Sequence, residues 1–181
     1  LIAAKSSDFI KEIMESFVER ASDIRKGMVD PRIDNMLKIT HEARLLGLDP
    51  RLLYEDAPNE ADSKVNQCIE IIYDEYIQSS AIKGTQIVFC DVGTPNSDGR
   101  FSIYPYIKEE LIKKGIPENE VCFIHDATNE AKREAMFSDL RSGHRRIILG
   151  STPKMGTGTN IQDRLVALHH LDCPWRPSDL E

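Results

Sequence analysis

Residues 150–160 read G-S-T-P-K-M-G-T-G-T-N and follow directly on the apolar run R-I-I-L at 146–149. A small-residue loop at the carboxyl end of a buried strand is where an open α/β protein meets its ligands, phosphate above all. Gly156 and Gly158 allow backbone N–H groups to approach an anion closely, since neither carries a Cβ that would crowd it. Thr152, Thr157 and Thr159 add hydroxyl donors, and the Asn160 amide suits a ribose hydroxyl or the cap of a short following turn. The same composition also describes a small-residue turn with no ligand. A loop that grips β- and γ-phosphates needs G-x-x-x-x-G-K-[ST], in which the lysine reaches the terminal phosphates and the hydroxyl holds Mg²⁺. No Gly-Lys pair occurs in the chain, and Lys154 precedes both loop glycines. That motif is absent, so the chain alone is not expected to hold and hydrolyse a nucleotide.

The elements that must position this loop follow from hydrophobic period. Residues 8–26 place Phe9, Ile13, Phe17, Ala21 and Ile24 on one helical face, with Gly27 as a stop. A second amphipathic pattern over 32–46 groups Ile33, Met36, Leu37, Thr40 and Ala43, with Gly47 as cap. A third, over 61–78, aligns Val65, Ile69, Ile72 and Tyr76. At Gly84 the period changes. Apolar strands are predicted at 86–90, 121–125, 146–149 and 165–171, and helices at 103–114 and 129–141 between them. Strands alternating with helices imply βαβ crossovers and a parallel sheet covered on both faces. The expected organisation is a helical lead-in over 1–83 and an α/β domain over 84–181. Four strand ends then share one rim: Asp91 onward, His125-Asp126, the loop after 149, and Asp172 onward.

Bulk properties narrow the function. The 181 residues are 40% hydrophobic and 29% charged, with a formal net charge of -7, which argues against a polybasic coat; any anion contact must be local. Cys68, Cys90, Cys122 and Cys173 are widely spaced without a C-x-x-C, as expected of reduced core thiols in a cytoplasmic protein. No stretch approaches the roughly 18 consecutive apolar residues of a membrane span, and no signal peptide pattern opens the sequence. The first residue is Leu1, and Ser178-Asp-Leu-Glu181 is a capping box with no helix after it, as in a piece of a longer polypeptide.

S-T-P-K-M-G-T-G-T-N at 151–160, followed a strand later by D-C-P-W-R-P at 172–177, resembles the Swi/Snf-like branch of superfamily 2 helicases. There motif V runs S-T-x-x-x-G-x-G-x-N and D-x-x-W-x-P comes one strand later. I-V-F-C-D at 87–91 is similar to motif IV, and Asp126-Ala-Thr128 with Arg133 and Phe137 to the stretch between motifs IV and V. Pro153-Lys154-Met155 stands where remodellers of this branch carry a small, glycine-containing run. The resemblance implies a RecA-like parallel sheet with helices on both faces, the second motor lobe of an ATP-driven DNA helicase or translocase. It implies that Gly156, Thr157, Gly158 and Asn160 face the nucleotide, and that Ser151, Thr152, Lys154 and Trp175 serve the DNA strand. It further implies ATP with Mg²⁺ in the parent polypeptide, none bound by this piece alone, and the first RecA-like lobe of the same parent as partner. Motif VI with its arginine finger would be expected just past Glu181, and no residue here is assigned a catalytic role. For the leading helices the resemblance implies only linker and accessory helices.

Asp172-Cys-Pro-Trp175 also resembles the [DNS]-P-P-[YFW] signature of amino-methyltransferases, which use S-adenosylmethionine, though its first proline is missing. A non-catalytic α/β interaction module is the third reading. Adjacent strand residues His169 and His170 should point to opposite faces. His125 and His144 have no partners at metal spacing, and no zinc is expected. Lys132, Arg133, Arg141, His144, Arg145 and Arg146 form a basic cluster that suits either phosphates or a solvated helix end. The Gly- and Asp-rich residues 92–102 read as a surface loop, and Trp175 as a packing anchor or the motif residue.

Overall fold

The computed structural model describes residues 4–96, 99–155 and 160–172. Two compact units divide the chain, Leu1–Gln67 and Cys68–Glu181.

In the first unit, helix α1 (Asp8–Arg25) starts where the Ser7 hydroxyl accepts the Ile10 N–H, and carries Asp8 in its first turn and Arg25 in its last, the order the helix dipole favours. Helix α2 (Met36–Leu48) is capped by Asn35, whose side chain accepts the Lys38 N–H. Phe17, Ile39 and Leu46 are buried, with Ile10, Ile13, Ala21, Ile24, Ala43 and Leu53 packed around them. Arg20 clamps this pair of helices, forked onto Asp34 at 2.8 and 2.9 Å and onto Glu42 at 2.6 Å. The α2 prediction needs two corrections. Ile33 precedes the helix and is 70% exposed, Leu37 is 73% exposed, and the buried residues are Ile39 and Leu46, with the predicted Ala43 partly buried against them. Apolar residues occupy two phases of this helix, and only packing against α1 selects between them. Nor does Gly47 end the helix. Asp49, in an extended conformation, does so because Pro50 disfavours helical backbone at the preceding residue.

Helix α3 (Lys64–Gln78) runs across the division, and its residues from Cys68 belong to the second unit. The remaining elements are β1 (Thr85–Phe89), α4 (Ile103–Lys113), β2 (Val121–Phe123), α5 (Glu130–Ser142), β3 (Ile147–Gly150), a single turn α6 (Thr152–Met155) and β4 (Leu165–His170). The strands form a parallel sheet in the order β2-β3-β1-β4. Both central strands are buried at every position, as a sheet covered on both faces requires. Ile87, Phe89, Cys122, Ile124 and Ile148 meet Met136, Phe137 and Leu140 of α5 on one side. On the other, Gln86 donates to the Ile72 carbonyl of α3, and the Tyr104 hydroxyl of α4 donates to the Cys90 carbonyl at 2.6 Å. The predicted alternation therefore holds. Cys68, Cys90 and Cys122 are buried free thiols, and burial raises the pKa of each. Cys173 lies outside the described residues.

His169 and His170 do point to opposite faces. His170 stacks on Phe89 with centroids 4.8 Å apart, while His169 Nε2 lies 2.8 Å from the Gln86 side-chain oxygen. Because the Gln86 amide nitrogen is already committed to Ile72, its oxygen accepts, and His169 is neutral with the proton on Nε2. Burial, with His170 beside it, pushes the His169 pKa down to about 4.

Arg146, a member of the basic cluster in sequence, is only 4% exposed. Its guanidinium donates to the Gly84 carbonyl (3.0 Å), the Tyr76 carbonyl (2.8 Å) and the Ser79 hydroxyl (3.0 Å), and lies 3.8 Å from the centre of the Tyr76 ring. Tyr76 donates in turn to Glu120. A buried cation is thus placed on the carbonyl end of α3, where the helix dipole is negative.

Two outcomes follow from these buried polar groups. Arg146→Ala takes a charged donor from three acceptors, of which the Tyr76 carbonyl keeps the Ser80 hydroxyl, and is expected to cost about 3 kcal/mol in urea unfolding; an unchanged midpoint would contradict the clamp. Since His169 titrates lower in the folded than in the unfolded chain, its contribution is full above about pH 6.5 and is lost as pH falls towards 4. Unfolding midpoints at pH 7 and pH 5 should differ less in His169→Gln, which keeps a donor for Gln86, than in the wild type; equal differences would refute the assignment.

Candidate nucleotide and nucleic-acid site

The carboxyl ends of β3, β1 and β4 lie side by side, and their continuations are bonded across the rim. Cys90 donates its N–H to the Gly150 carbonyl, and Leu171 donates to the Phe89 carbonyl, both at 3.0 Å. One residue later Asp91 ties all three together. Its carboxylate accepts the Thr152 N–H at 2.7 Å, and its own N–H is shared between the Asp172 carboxylate oxygens at 3.1 and 3.0 Å. Cys90 sits beneath these carboxylates; burial first, then Asp172, hold its thiol protonated, and it donates to the Val92 carbonyl.

From Thr152 the chain makes the single turn α6, in which the Ser151 carbonyl accepts from Lys154 and Met155. Met155 is 3% exposed and folds back over Gly150, where a Cβ would stand 2.5 Å from its sulfur and 2.7 Å from Ile124 Cγ2. Glycine at 150 suits this close approach, where a Cβ would displace the Met155 thioether and crowd Ile124, and its φ plays no part. Anchoring Met155 beneath the turn turns Pro153 and Lys154 outward, and Ser151 and Thr152 are half-buried. Lys154 is also among the causes, after burial, that lower the pKa of His125, whose ring meets Tyr104 edge-on at 5.5 Å. Asn160 is exposed, and buried Ile161 follows it. The short turn after it is led by Ile161 with no side-chain cap, so Asn160 does not cap it.

Four of the predicted site residues are therefore placed: Ser151, Thr152 and Lys154 on the rim beside Asp91 and Asp172, and Asn160 at the start of the return to β4. Gly156, Thr157, Gly158 and Trp175 lie outside the described residues. Because Asp91 already occupies the Thr152 amide, that N–H is not a phosphate donor. The chain between 91 and 102 is pinned at its neck, where the Ser102 hydroxyl is shared between the Gly93 and Thr94 carbonyls.

Sequence reasoning missed what the basic cluster does. Arg133 donates to the Lys154 carbonyl at 2.9 Å, and Arg141 to the Asn160 carbonyl at 2.9 Å. Arg145 pairs with Asp139, Lys132 bonds Thr128, and Arg146 is the buried clamp. Neither a phosphate track nor a merely solvated helix end describes these side chains. The available signal was two arginines about two turns apart on one helix, a spacing that says nothing of carbonyls distant in sequence.

A parallel α/β unit with its candidate site at the carboxyl rim of the central strands belongs to the broad class of ligand-binding doubly wound domains. The family description "Helicase conserved C-terminal domain" matches residues 63–181, more than half of the chain. The chain thus belongs to that family, and its sheet is the RecA-like lobe of a superfamily 2 helicase. Membership brings with it a helicase partner domain and dealings with nucleic acid in general. No curated protein matches the chain. Among the described residues no helix is long and apolar enough to cross a membrane.

If Asp91 is the fastening of the rim, Asp91→Ala should speed amide hydrogen exchange at Thr152 and lower stability by about 1–2 kcal/mol, the cost of an amide left without its charged acceptor. Unaltered exchange at Thr152 would show that the turn stands without it.

Proposed function

We propose that the chain is the second motor lobe of an ATP-dependent DNA translocase or helicase of the Swi/Snf-like branch, acting in a nucleotide cleft shared with a first lobe of the same polypeptide. The observation that carries this reading is the bonding of Asp91 to Thr152 and Asp172. Three segments far apart in sequence, resembling motif IV, motif V and the D-x-x-W-x-P stretch, meet at one rim.

ATP with Mg²⁺ suits these residues only as half of a site. Asp91 and Asp172 both accept backbone N–H groups, and no lysine follows a glycine in the loop. The first lobe would have to supply the metal and the groups that hold the terminal phosphates. On this reading Asn160, with Gly156, Thr157 and Gly158, faces the nucleotide from across the cleft. Lys154, with Ser151, Thr152 and Trp175, lies along the DNA strand. Phosphoryl transfer needs positioning and charge neutralisation more than covalent help, so dividing those groups between two lobes makes closure depend on nucleotide. The amino-methyltransferase reading fits less well, since its signature needs a proline where Cys173 stands.

The test is ATP hydrolysis with and without DNA. The isolated lobe is expected to show no turnover. In the full-length polypeptide, Asn160→Ala should lower DNA-stimulated turnover about tenfold or more, as for a polar contact worth about 1.4 kcal/mol at the closed cleft. Wild-type turnover in that variant would overturn the assignment.

A further inference from the structure

We propose that α5 is a positioning element that holds the main chain beneath Lys154 with one arginine and beneath Asn160 with another, and so sets the nucleic-acid contact and the nucleotide contact each through its own grip; this rests on the functional reading above. Each arginine grips a main-chain carbonyl, not a side chain. The backbone at 154 and at 160 is thereby fixed while both side chains stay exposed to reach a ligand.

Both guanidinium groups are themselves held. Arg133 lies 5.3 Å from the centre of the Phe137 ring, and Phe137 is buried in the core. Arg141 is paired with Glu134 at 2.5 Å. The stem at 160 is fastened twice over, because the Arg141 carbonyl accepts from Arg164, which also donates to the Ile82 carbonyl. Between the two arginines α5 is a rigid spacer. Asn129 caps its start, Gly143 its end, and Met136, Phe137 and Leu140 are buried against the sheet. Its two anchor points are about 12 Å apart along the axis. Each backbone is thus held to the helix by its own arginine.

The experiment uses the full-length polypeptide and compares Arg133→Met and Arg141→Met, which keep the aliphatic stem and lose the donors, with Arg133→Lys and Arg141→Lys, which restore one. Steady-state ATP hydrolysis is measured against ATP and against DNA concentration, with amide exchange over 152–155 as a second readout. Arg133→Met should raise the DNA concentration for half-maximal stimulation about fivefold and quicken that exchange. Arg141→Met should raise the KM for ATP about fivefold without quickening it. Each factor is that of one charge-assisted hydrogen bond at a partly exposed site. The lysine variants should recover part of each shift. If Lys154→Ala and Asn160→Ala impair turnover while both methionine variants match the wild type, or move both constants together, α5 is not the positioning element. If Lys154→Ala and Asn160→Ala are silent as well, the functional reading fails and the positioning role with it.

Discussion

The Asp91 residue at the tip of the central strand is the fastening on which the rest of the rim depends. Its carboxylate and its own N–H are used in opposite senses, one accepting from the turn after β3, the other donating to the carboxylate after β4. Parallel strands end with backbone groups that have no further ladder partner, and such groups must be satisfied if they are not solvated. Asp91 satisfies one of them and hands its own amide to Asp172. The turns that leave β3 and β4 therefore depart from a fixed origin. Without that fastening the turn at 152–155 would rest on the two bonds to the Ser151 carbonyl, the Arg133 bond to the Lys154 carbonyl and the burial of Met155.

The opposite end of the sheet is secured by the reverse chemistry. There the exposed groups are carbonyls, at the last turn of α3 and at Gly84, and a buried guanidinium from Arg146 collects them. Anions meet amides at one end and a cation meets carbonyls at the other. The buried cation lies over the Tyr76 ring, with Glu120 on the tyrosine hydroxyl, so its charge is answered by a helix end, a ring face and a carboxylate one residue removed. Removing any one acceptor leaves others in place. Removing the arginine takes the charged donor from the Gly84 carbonyl and the Ser79 hydroxyl, while the Tyr76 carbonyl keeps the Ser80 hydroxyl.

How much of this was readable in the sequence depends on whether the deciding interaction is local. Period and punctuation suffice for α1, α3 and the alternation of strands with helices, because each rests on spacing within a few turns or strand residues. The α2 face is not decidable that way, since Met36 and Leu37 on one phase compete with Ile39 and Leu46 on another, with Ala43 common to both, and packing with α1 settles it. Similarly, β2 is shorter than its apolar run, because residues 124–126 turn into a short 3-10 segment. At the site, the loop and its flanking strands were recognisable from small residues after an apolar run. The partners of Asp91, and the carbonyls that Arg133 and Arg141 hold, are separated by many residues and leave no local pattern.

The arrangement also explains why an acidic chain needs no basic track to serve an anionic ligand on the proposed reading. With a net charge of -7, long-range attraction to phosphate is weak, and a surface of free arginines would be the usual remedy. Instead the arginines of α5 are used on the protein's own carbonyls. They give up most of their reach towards solvent and in return define the backbone beneath Lys154 and Asn160. A contact made by one placed lysine discriminates by geometry, because its position moves with the helix that holds it, whereas a diffuse positive coat responds only to charge. On that reading, a lobe that grips and releases a strand as a cleft opens and closes requires the former. That requirement accounts for the investment of two arginines, a capped helix and a buried ring in fixing two main-chain carbonyls.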